Sequence, residues 1–511
     1  MIKREFEFTI KSENIDIATK NTKFPKGEKM KYFSTRNPNE IVNSAEAIIT
    51  GLAPDGGLFV PDSIPTPDTT GWEKLTYPEL AGEVLPHLLP DFDKEFLKTA
   101  AEEVYGKAFA GKAGYTTKIK DNMYALELWH GPTCAFKDYA LQYMPRMLVE
   151  AKKIMGRTET TRFLVATSGD TGKAALEGYK DLEGIEIRVF FPDDGTSEIQ
   201  RLQMATQRGN NVGVYAVEGT FDVCQRGIKT AFNDKEIAAQ LKERNIALSS
   251  ANSINWGRLV PQVVYYFYSY YRLVEGENLP VGTVVDFCVP SGNFGDVLAG
   301  YYAKQMGLPV GRFIVAVNDN NSLSDFINTG VFDSTRTFHK TSSPSMDVLV
   351  PSNLERLLYH ACGDTEKVKG WMKELAETGK YTVDEETLAT IRKDFVADWT
   401  NEEQCAEIIG RYNDEYGYFA DTHTAVALYV AEKFEGERPM VVLSTASPYK
   451  FPRAVLAALG KEAPKSDFDA IDMLEEYSGV TAPTSLTELK GMEERFTGVI
   501  TSETIQKIAI E

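Results

Sequence analysis

The chain has 511 residues, which at about 150 residues per domain corresponds to roughly three domains or two large ones. Its composition, 43% hydrophobic and 25% charged, is ordinary for a soluble globular protein and calls for no stabilising disulfide or zinc site. A net charge of −19 argues against a nucleic-acid-binding protein and against docking on an anionic membrane surface. Because the sequence has no run of eighteen apolar residues, we expect no membrane-spanning helix.

The cysteines and histidines give no support for a metal site. The five cysteines are far apart and never form a C-x-x-C pair, which is typical of a protein in a reducing compartment and indicates a cytoplasmic location. The five histidines form no H-E-x-x-H motif or other close pair, so we expect no metal centre. The N-terminal sequence MIKREFEFTIK is charged and alternating, and predicts an edge strand and not a secretory signal.

Taken in chain order, the sequence predicts an arm, a mixed region and then an α/β alternation. Residues 1 to about 30 are polar and Lys-rich and predict a loosely attached arm, and the stretch to about 115 mixes helical patterns with turns. After that, short apolar runs are followed by Gly- or Ser-rich turns or by helical patterns. Continuous apolar runs indicate strands that are buried on both faces, so the pattern predicts one or two parallel α/β sheets. These runs lie at 163–166, 187–192, 284–289, 313–317 and 440–443. Residues 351–410 predict mostly helix, and the acidic segment after about 462 ends in a helical pattern.

Two loops that join a predicted strand to a predicted helix are candidates for anion binding. They are S-G-D-T-G at 168–172 and S-G-N-F-G-D at 291–296. In a parallel sheet, ligands bind beyond the carboxyl ends of the strands, where backbone N–H groups and the helix dipole attract negative charge. The alternative for each loop is a plain tight turn with a helix cap. A partial P-loop match at 106–112 is followed by Ala113 and preceded by a helical pattern, so it does not predict a nucleotide site.

Two further segments carry groups that suit catalysis or anion binding. The segment H-G-P-T-C-A-F-K-D at 130–138 places Lys137 among apolar residues at the start of a helical pattern in which Pro145 predicts a kink. Desolvation lowers the pKa of an amine, as a Schiff-base lysine requires, whereas most lysines simply reach solvent. Cys134 has no identifiable base partner, which favours a small core residue. The segment N-S-I-N-W-G-R at 252–258 predicts either a phosphate-binding site or a helix N-cap with a salt-bridging arginine.

These segments belong to a longer ordered series of motifs that covers nearly the whole chain from residue 32 to about 460. The remaining members are YFSTR (32–36), GLAPDGGLFVP (51–61), GTFDVCQ (219–225), SPSMD (343–347), SNLER (352–356), DTHTAV (421–426) and STASPYKF (444–451). The series resembles the threonine synthases, pyridoxal-phosphate enzymes of the tryptophan-synthase-β fold type (fold type II), and fits their long bacterial and fungal subgroup. The resemblance implies two parallel-rich α/β domains and a smaller N-terminal domain. The implied boundaries are 1–115, 116–275 with Lys137 and the first glycine loop, and 276–511 with the second glycine loop and a C-terminal extension.

The resemblance also implies a role for each candidate residue. Lys137 matches the Schiff-base lysine and the catalytic residue, and Phe136 lies beside it near the cofactor ring. Thr445 matches the residue whose neutral hydroxyl meets the pyridine nitrogen and leaves that nitrogen largely unprotonated. The cofactor-phosphate loop matches Gly292, Asn293, Phe294, Gly295 and Asp296. The loop around the substrate carboxylate and the cofactor's ring oxygen matches Ser168, Asp170 and Thr171. The substrate-phosphate site matches Asn252, Ser253, Asn255 and Arg258. One departure is Ser447, which stands where the family usually has histidine.

The reaction implied by the resemblance converts O-phospho-L-homoserine and water to L-threonine and phosphate by γ-elimination and β-addition, the last step of threonine biosynthesis. Pyridoxal phosphate would act as the electron sink and Lys137 as the general base. Two alternatives remain open from the residues. One is another lyase of the same fold, such as a serine/threonine dehydratase or a cysteine synthase, which needs no second phosphate pocket. The other is a cofactor-binding homologue without catalysis. For assembly we expect a monomer or a homodimer.

Overall fold

The computed structural model describes residues 30–167, 169–194 and 196–511. The predicted N-terminal arm and its edge strand lie outside these residues. The strands are β1 (Tyr32–Ser34), β2 (Asn37–Val42), β3 (Phe59–Pro61), β4 (Tyr115–Lys120), β5 (Met123–Glu127), β6 (Thr160–Ala166), β7 (Ile185–Pro192), β8 (Val212–Val217), β9 (Ile246–Ser249), β10 (Val285–Pro290), β11 (Val310–Val317), β12 (Val331–Asp333), β13 (Lys380–Thr382), β14 (Phe395–Trp399), β15 (Met440–Ser444) and β16 (Val499–Ile500).

The helices alternate with these strands over most of the described chain. They are α1 (Ser44–Thr50), α2 (Tyr77–Leu88), α3 (Lys94–Ala101), α4 (Asp138–Leu141), α5 (Met144–Ile154), α6 (Asp170–Tyr179), α7 (Glu198–Ala205), α8 (Phe221–Asn233), α9 (Lys235–Glu243), α10 (Trp256–Gly276), α11 (Gly295–Gln305), α12 (Ser322–Thr329), α13 (Leu354–Cys362), α14 (Thr365–Thr378), α15 (Glu385–Asp394), α16 (Glu402–Tyr416), α17 (Thr422–Lys433), α18 (Pro452–Ala458), α19 (Asp467–Ser478), α20 (Thr484–Thr487) and α21 (Thr504–Ile510). Among the described helices, none is both long and apolar enough to cross a membrane.

The N-terminal region forms a small layer that packs on the long helix α10. Its antiparallel sheet has the order β2-β1-β3. The hydroxyl of Tyr32 in β1 donates to the carbonyl oxygen of Leu88 at the end of α2 (2.5 Å), and α2 in turn contacts α10. The Tyr32 ring lies 5.3 Å from the ring of Trp256, the first residue of α10. Buried aromatic contacts of this kind fix the start of α10, which carries one of the candidate segments.

Two larger sheets carry the other candidate segments. The large sheet has the order β14-β11-β10-β15-β5-β4, in which only β4 is antiparallel to its neighbour. The small sheet has the order β16-β8-β7-β6-β9, and its strands pair in parallel throughout. Strands β10 and β15 are buried along their whole length, as expected for strands covered on both faces. The predicted parallel α/β architecture with two sheets is therefore observed.

The sheets differ from the predicted domain boundaries at two places. Strands β4 and β5 belong to the large sheet, although they lie in the 116–275 segment, and β16 belongs to the small sheet, although it lies in the 276–511 segment. After the N-terminal layer, the chain thus starts in the large sheet, enters the small sheet with β6, returns to the large sheet with β10 and ends in the small sheet with β16. The predicted kink at Pro145 is instead a break, because α4 ends at Leu141 and Pro145 falls in the first turn of α5. A proline is tolerated there since the first turn does not use its missing N–H.

Candidate active site

The carboxyl ends of three neighbouring strands of the large sheet bring the cofactor candidates together. Strand β10 leads into the loop that begins at Gly292, β15 leads into Thr445, and the chain after β5 reaches Lys137. The backbone N–H of Phe136 donates to the carbonyl oxygen of Thr445 (2.8 Å), and Ala135 pairs with Ala446 in an antiparallel bridge. The Lys137 segment is therefore fastened directly beside Thr445.

The segment 130–138 is held in shape by the carboxyl group of Asp138. That group accepts hydrogen bonds from the Thr133 N–H (2.8 Å), the Thr133 hydroxyl (2.7 Å) and the Gln142 amide (3.1 Å). A side chain at Gly131 would come within 2.5 Å of the same carboxyl group, so the turn requires glycine. Burial raises the pKa of Asp138 to about 6. The closed loop fixes the backbone from which Lys137 projects.

The Lys137 amine is desolvated, as its apolar sequence neighbours predict. Its side chain is 11% exposed, and Nζ lies 4.7 Å from the centre of the Phe136 ring and 3.9 Å from Asp170 Oδ2. Burial lowers the pKa of Lys137 to about 8; the positive charges of Lys450 and Arg258 add to this effect, while Asp170 and Asp296 oppose it. At near-neutral pH this amine exchanges protons far more readily than a surface lysine does.

Cys134 in the same segment is not a nucleophile. It is buried, it has a left-handed backbone conformation (φ 60°), and burial raises its thiol pKa to about 11. A reactive cysteine needs a lowered pKa. The structure thus agrees with the interpretation of Cys134 as a small core residue.

The loop between β10 and α11 forms a tight cradle of backbone N–H groups. A Cβ on Gly292 would lie 2.9 Å from the carbonyl oxygen of Ser345, and Phe294 adopts a left-handed conformation (φ 62°) that turns the chain into the helix. The N–H groups of Gly292, Asn293, Phe294 and Gly295 donate no hydrogen bond to any residue that the structure describes. The Asn293 side chain itself is exposed. These N–H groups at the start of an 11-residue helix suit a phosphate.

The side chain of Asp296, which the sequence assigns to this loop, is engaged elsewhere. Its carboxyl group accepts hydrogen bonds from the hydroxyls of Tyr265 (2.6 Å) and Tyr266 (2.9 Å) on α10. Burial raises the pKa of Asp296 to about 6, and its second oxygen has no partner among the described residues. The carboxyl group therefore ties α11 to α10, and any contact between residue 296 and an anion involves its backbone.

The loop between β6 and α6 is stabilised by the side chain of Thr167. The Thr167 hydroxyl oxygen accepts hydrogen bonds from the N–H groups of Gly169 and Gly172 (both 2.9 Å). Ser168 lies outside the described residues. Thr171 is half-buried, and its hydroxyl makes no hydrogen bond within the described part of the chain. Asp170 opens helix α6 and faces the Lys137 amine across the gap between the two sheets.

Asp170 is the most heavily contacted group of the site. Its Oδ1 accepts from Lys450 Nζ (2.5 Å) and Gln200 Nε2 (3.0 Å), and its Oδ2 accepts from the Ser345 hydroxyl (3.2 Å). Burial by itself would raise the pKa of the Asp170 carboxyl, but the charges of Lys450 and Lys137 hold that pKa well below its usual range. Asp170 is therefore ionised throughout the physiological pH range.

The segment 252–258 contains the cap of α10 and the candidate residues for anion binding. Asn255 is the N-cap of α10: its Oδ1 accepts from the Gly257 N–H (2.8 Å), and its amide donates to the carbonyl oxygen of Ile48 (2.9 Å). Its oxygen and one of its two amide N–H groups are thus used structurally, and the assignment of Asn255 to the substrate phosphate stays a prediction. The Ser253 hydroxyl donates to Asn252 Oδ1 (3.2 Å), and Asn252 is exposed.

Arg258 has the properties of an anion-binding residue. It is 5% exposed, its Nη1 donates to the carbonyl oxygen of Ala251 (2.8 Å), and its Nε has no partner among the described residues. Burial lowers the pKa of Arg258 to about 10. Within the described residues no carboxylate pairs with it, so the salt bridge that the cap interpretation predicts is absent there. A buried guanidinium without a counter-ion is costly unless a ligand supplies the negative charge.

Thr445 and Ser447 follow β15 and have different roles. Thr445 is 5% exposed, and its hydroxyl makes no hydrogen bond to a described residue. Ser447 is fully buried; its N–H donates to the carbonyl oxygen of Cys134 (3.2 Å) and its hydroxyl oxygen accepts from the Tyr449 N–H (3.4 Å). The serine thus caps the short turn Pro448–Lys450.

Sequence reasoning missed four residues that complete the site. Lys450 and Gln200 contact Asp170, and Ser345 lies between Asp170 and the Gly292 loop. The Ser345 N–H donates to His423 Nε2 (3.2 Å), whose Nδ1 is bonded to Asp421 (2.8 Å), so Nδ1 carries the proton. Lys450, Ser345 and His423 all stand in motifs of the ordered series, which was the available signal, whereas Gln200 stands in none of them.

Comparison with known proteins gives matches over most of the chain. Three family models match the chain: Threonine synthase N terminus over residues 31–105, Pyridoxal-phosphate dependent enzyme over 113–392, and Threonine synthase, C-terminal over 424–508. Threonine synthase from Pseudomonas aeruginosa is 37% identical over 90% of this chain and 97% of its own length. Threonine synthase from Saccharomyces cerevisiae is 36% identical over 84% of this chain and 89% of its own.

A longer relative and two solved structures extend the comparison. Threonine synthase-like 1 from Homo sapiens is 39% identical over 85% of this chain, and the match spans 61% of the length of that protein. The crystal structure of PLP-bound threonine synthase from Brucella melitensis has a TM-score of 0.84 at 37% identity and covers 94% of this chain and 99% of its own. The structure of threonine synthase from yeast has a TM-score of 0.83 at 33% identity and covers 94% and 97%. The predicted fold type is confirmed, and the chain belongs to the threonine synthase family of pyridoxal-phosphate-dependent enzymes.

Proposed function

We propose that this site converts O-phospho-L-homoserine and water to L-threonine and phosphate with pyridoxal phosphate as its cofactor. The observation that carries the proposal is one site that combines the desolvated Lys137 amine with the buried Arg258 guanidinium, which no described carboxylate neutralises. A second pocket for phosphate distinguishes this reaction from those of related lyases whose leaving group is water or acetate. The proposal therefore specifies the substrate and its leaving group, which the cofactor chemistry alone does not.

The donor groups of the site fit pyridoxal phosphate. The N–H cradle at the start of α11 offers hydrogen bonds to its phosphate, and the Thr445 hydroxyl offers one to its ring nitrogen. The Phe136–Thr445 backbone hydrogen bond keeps the Lys137 segment beside the segment of Thr445. When bound, the cofactor supplies an aldehyde for the amine and a ring that withdraws electrons from the substrate.

Lys137 is the residue that moves protons. With a pKa of about 8, about a tenth of its amine is neutral at pH 7 and about half at pH 8, so Nζ can accept a proton from the substrate's α carbon and return it. Asp170 Oδ2, at 3.9 Å, stabilises the protonated form. A base whose pKa lies near the working pH can both accept and donate a proton. The reaction requires this because protons are removed and returned in succession.

Three anionic groups must be held in a chain of net charge −19, and three helix starts supply the donors. The α11 start serves the cofactor phosphate. The α6 start with the Thr171 hydroxyl serves the substrate carboxylate, and Arg258 with Ser253 near the start of α10 serves the substrate phosphate. Asn255 caps α10 and so positions Arg258, and its second amide N–H is left for the substrate phosphate.

We also propose a cytoplasmic location for the protein. All five cysteines are free, and four of them are buried, which suits a reducing compartment. Cell fractionation with an antibody against the chain tests this: recovery in the soluble cytoplasmic fraction supports the proposal, and recovery in an oxidising compartment contradicts it.

A phosphate-release assay coupled to detection of threonine tests the function. Phosphohomoserine should give equal amounts of phosphate and threonine, whereas phosphoserine, acetylserine and serine should give little turnover. Arg258→Ala should raise the KM for phosphohomoserine at least about tenfold with the cofactor still bound, since it removes a charge-assisted phosphate contact. Arg411→Ala, which removes an outlying arginine paired with Glu432, is the matched control. Turnover of acetylserine or serine alone would identify another lyase, and no turnover at all would favour a non-catalytic homologue.

A further inference from the structure

The site contains a second buried lysine that the proposed reaction does not use. Lys450 follows β15 at the end of the turn that Ser447 caps, and its side chain is fully buried. Its Nζ donates to Asp170 Oδ1 (2.5 Å) and to the carbonyl oxygen of Thr133 (3.1 Å). Thr133 belongs to the Lys137 segment and Asp170 to the small-sheet loop. Lys450 thus joins the loops that approach the amine from the two sheets.

The contacts of Lys450 determine how Asp170 is presented. Oδ1 of Asp170 is occupied by Lys450 and Gln200, so the carboxylate cannot rotate without breaking two hydrogen bonds. Oδ2 is the oxygen left to face Lys137 Nζ and the Ser345 hydroxyl. A carboxylate held in this way keeps its charge and its direction toward the base.

Lys450 also balances the charge around the amine. The charged groups that act on Lys137 are Asp170 and Asp296 on one side and Lys450 and Arg258 on the other. Lys137 and Lys450 contact opposite oxygens of the same carboxylate, so their nitrogens are no more than about 9 Å apart, a separation at which two buried charges still interact strongly. Without Lys450, only Arg258 of these groups would remain to offset the effect of the carboxylates on Lys137.

We propose that Lys450 is a positioning residue of the reaction, which orients Asp170 toward the Lys137 amine and offsets its charge so that the amine can act as a base at neutral pH. The inference rests on the proposed role of Lys137. It assigns to Lys450 no contact with substrate or cofactor. Its effect is transmitted through one carboxylate, and that effect is measurable on the amine itself.

The test measures the protonation of Lys137 in three variants. Lys450→Gln removes the charge but keeps hydrogen-bonding groups, Lys450→Arg keeps the charge, and Lys461→Met changes an exposed lysine nearby as the control. In the full-length protein freed of cofactor, trace acetylation over a pH series followed by peptide mass spectrometry gives the midpoint of Lys137 reactivity. In the holoenzyme, the pH profile of kcat gives a second readout.

Lys450→Gln should move the Lys137 midpoint upward by about one pH unit, because a like charge at this distance is lost. Its kcat at pH 7 should fall about tenfold and recover as the pH is raised, whereas Lys450→Arg should stay close to the parent protein and Lys461→Met should match it. If Lys450→Gln does not fold, as judged by circular dichroism, Lys450→Met is measured in its place. The Lys450→Arg profile is then compared with that of the parent protein. An unchanged midpoint in a folded neutral variant, or a midpoint in Lys450→Arg shifted as far as in the neutral variants, overturns the proposal. Absence of turnover with phosphohomoserine in the parent protein, with the midpoint shift intact, would instead count against the proposed function.

Discussion

The substitution Gly292→Ala tests the geometry of the cofactor cradle. A Cβ at this position would lie 2.9 Å from the Ser345 carbonyl oxygen and 3.3 Å from Met346 Cα, and both neighbours are backbone atoms that cannot turn aside. Relieving such an overlap costs about 1–3 kcal/mol. The loop can relieve it by moving when no cofactor is bound, but binding requires the loop in place. We therefore expect the affinity for pyridoxal phosphate to fall about 5- to 150-fold.

The assay is a cofactor titration followed by absorbance, with thermal unfolding of the cofactor-free protein measured in parallel. Gly370→Ala is the matched control, because nothing lies within 4 Å of the added Cβ and the position is exposed in the interior of α14. That control should leave the Kd unchanged and stabilise the fold by about 0.5–1 kcal/mol, since alanine is the better helix former. Parental affinity in Gly292→Ala would refute the assignment of this loop.

Three further predictions concern the Lys137 segment. The kcat for phosphohomoserine should rise with pH up to about 8 and then level off, because the lowered pKa makes the neutral, basic form of Lys137 dominant only above that value; a profile that is flat from pH 6 to 9 contradicts this role. Asp138→Ala should lower the free energy of unfolding by about 3 kcal/mol in urea titrations, because it strands buried donors on Thr133 and Gln142, and Asp138→Asn should lose less; equal stability of both variants and the parent contradicts the loop account. Cys134→Ala should keep the parental kcat, since burial raises the thiol pKa to about 11; loss of turnover in a folded variant would restore the cysteine as a nucleophile.

The parallel sheets could be predicted because their strands carry a local signal. Strands β6, β10 and β15 are continuous apolar runs that end in Gly- or Ser-rich turns, and each turn is followed by a helix start. Which strands become neighbours is set by packing over long separations. Strand β5 pairs with β15 across some three hundred residues, and β16 returns to β8 in the small sheet. Neither pairing leaves a pattern in its own segment, so the domain boundaries could not be predicted.

The candidate site divides in the same way. Lys137 and the two glycine loops have local signatures, whereas the Asp170–Lys450 pair joins residues that are 280 positions apart. Asn255 is ambiguous by chemistry, since an amide at a helix start can cap the helix, bind a ligand or do both; the structure shows the cap and the hydrogen bond to Ile48. Asp296 is assigned to the phosphate loop by its place in the sequence, but its carboxylate accepts hydrogen bonds from two tyrosines of α10.

The most direct test of the account asks which amine joins the cofactor. In the described part of the chain, the lysines that pair with Asp170 are Lys137 and Lys450, so the site itself supplies the competing candidate. The holoenzyme is reduced with borohydride and digested, and the peptide that carries the pyridoxyl group is sequenced by mass spectrometry. We predict modification of Lys137 alone. A pyridoxyl group on Lys450, or on neither lysine, would contradict the account.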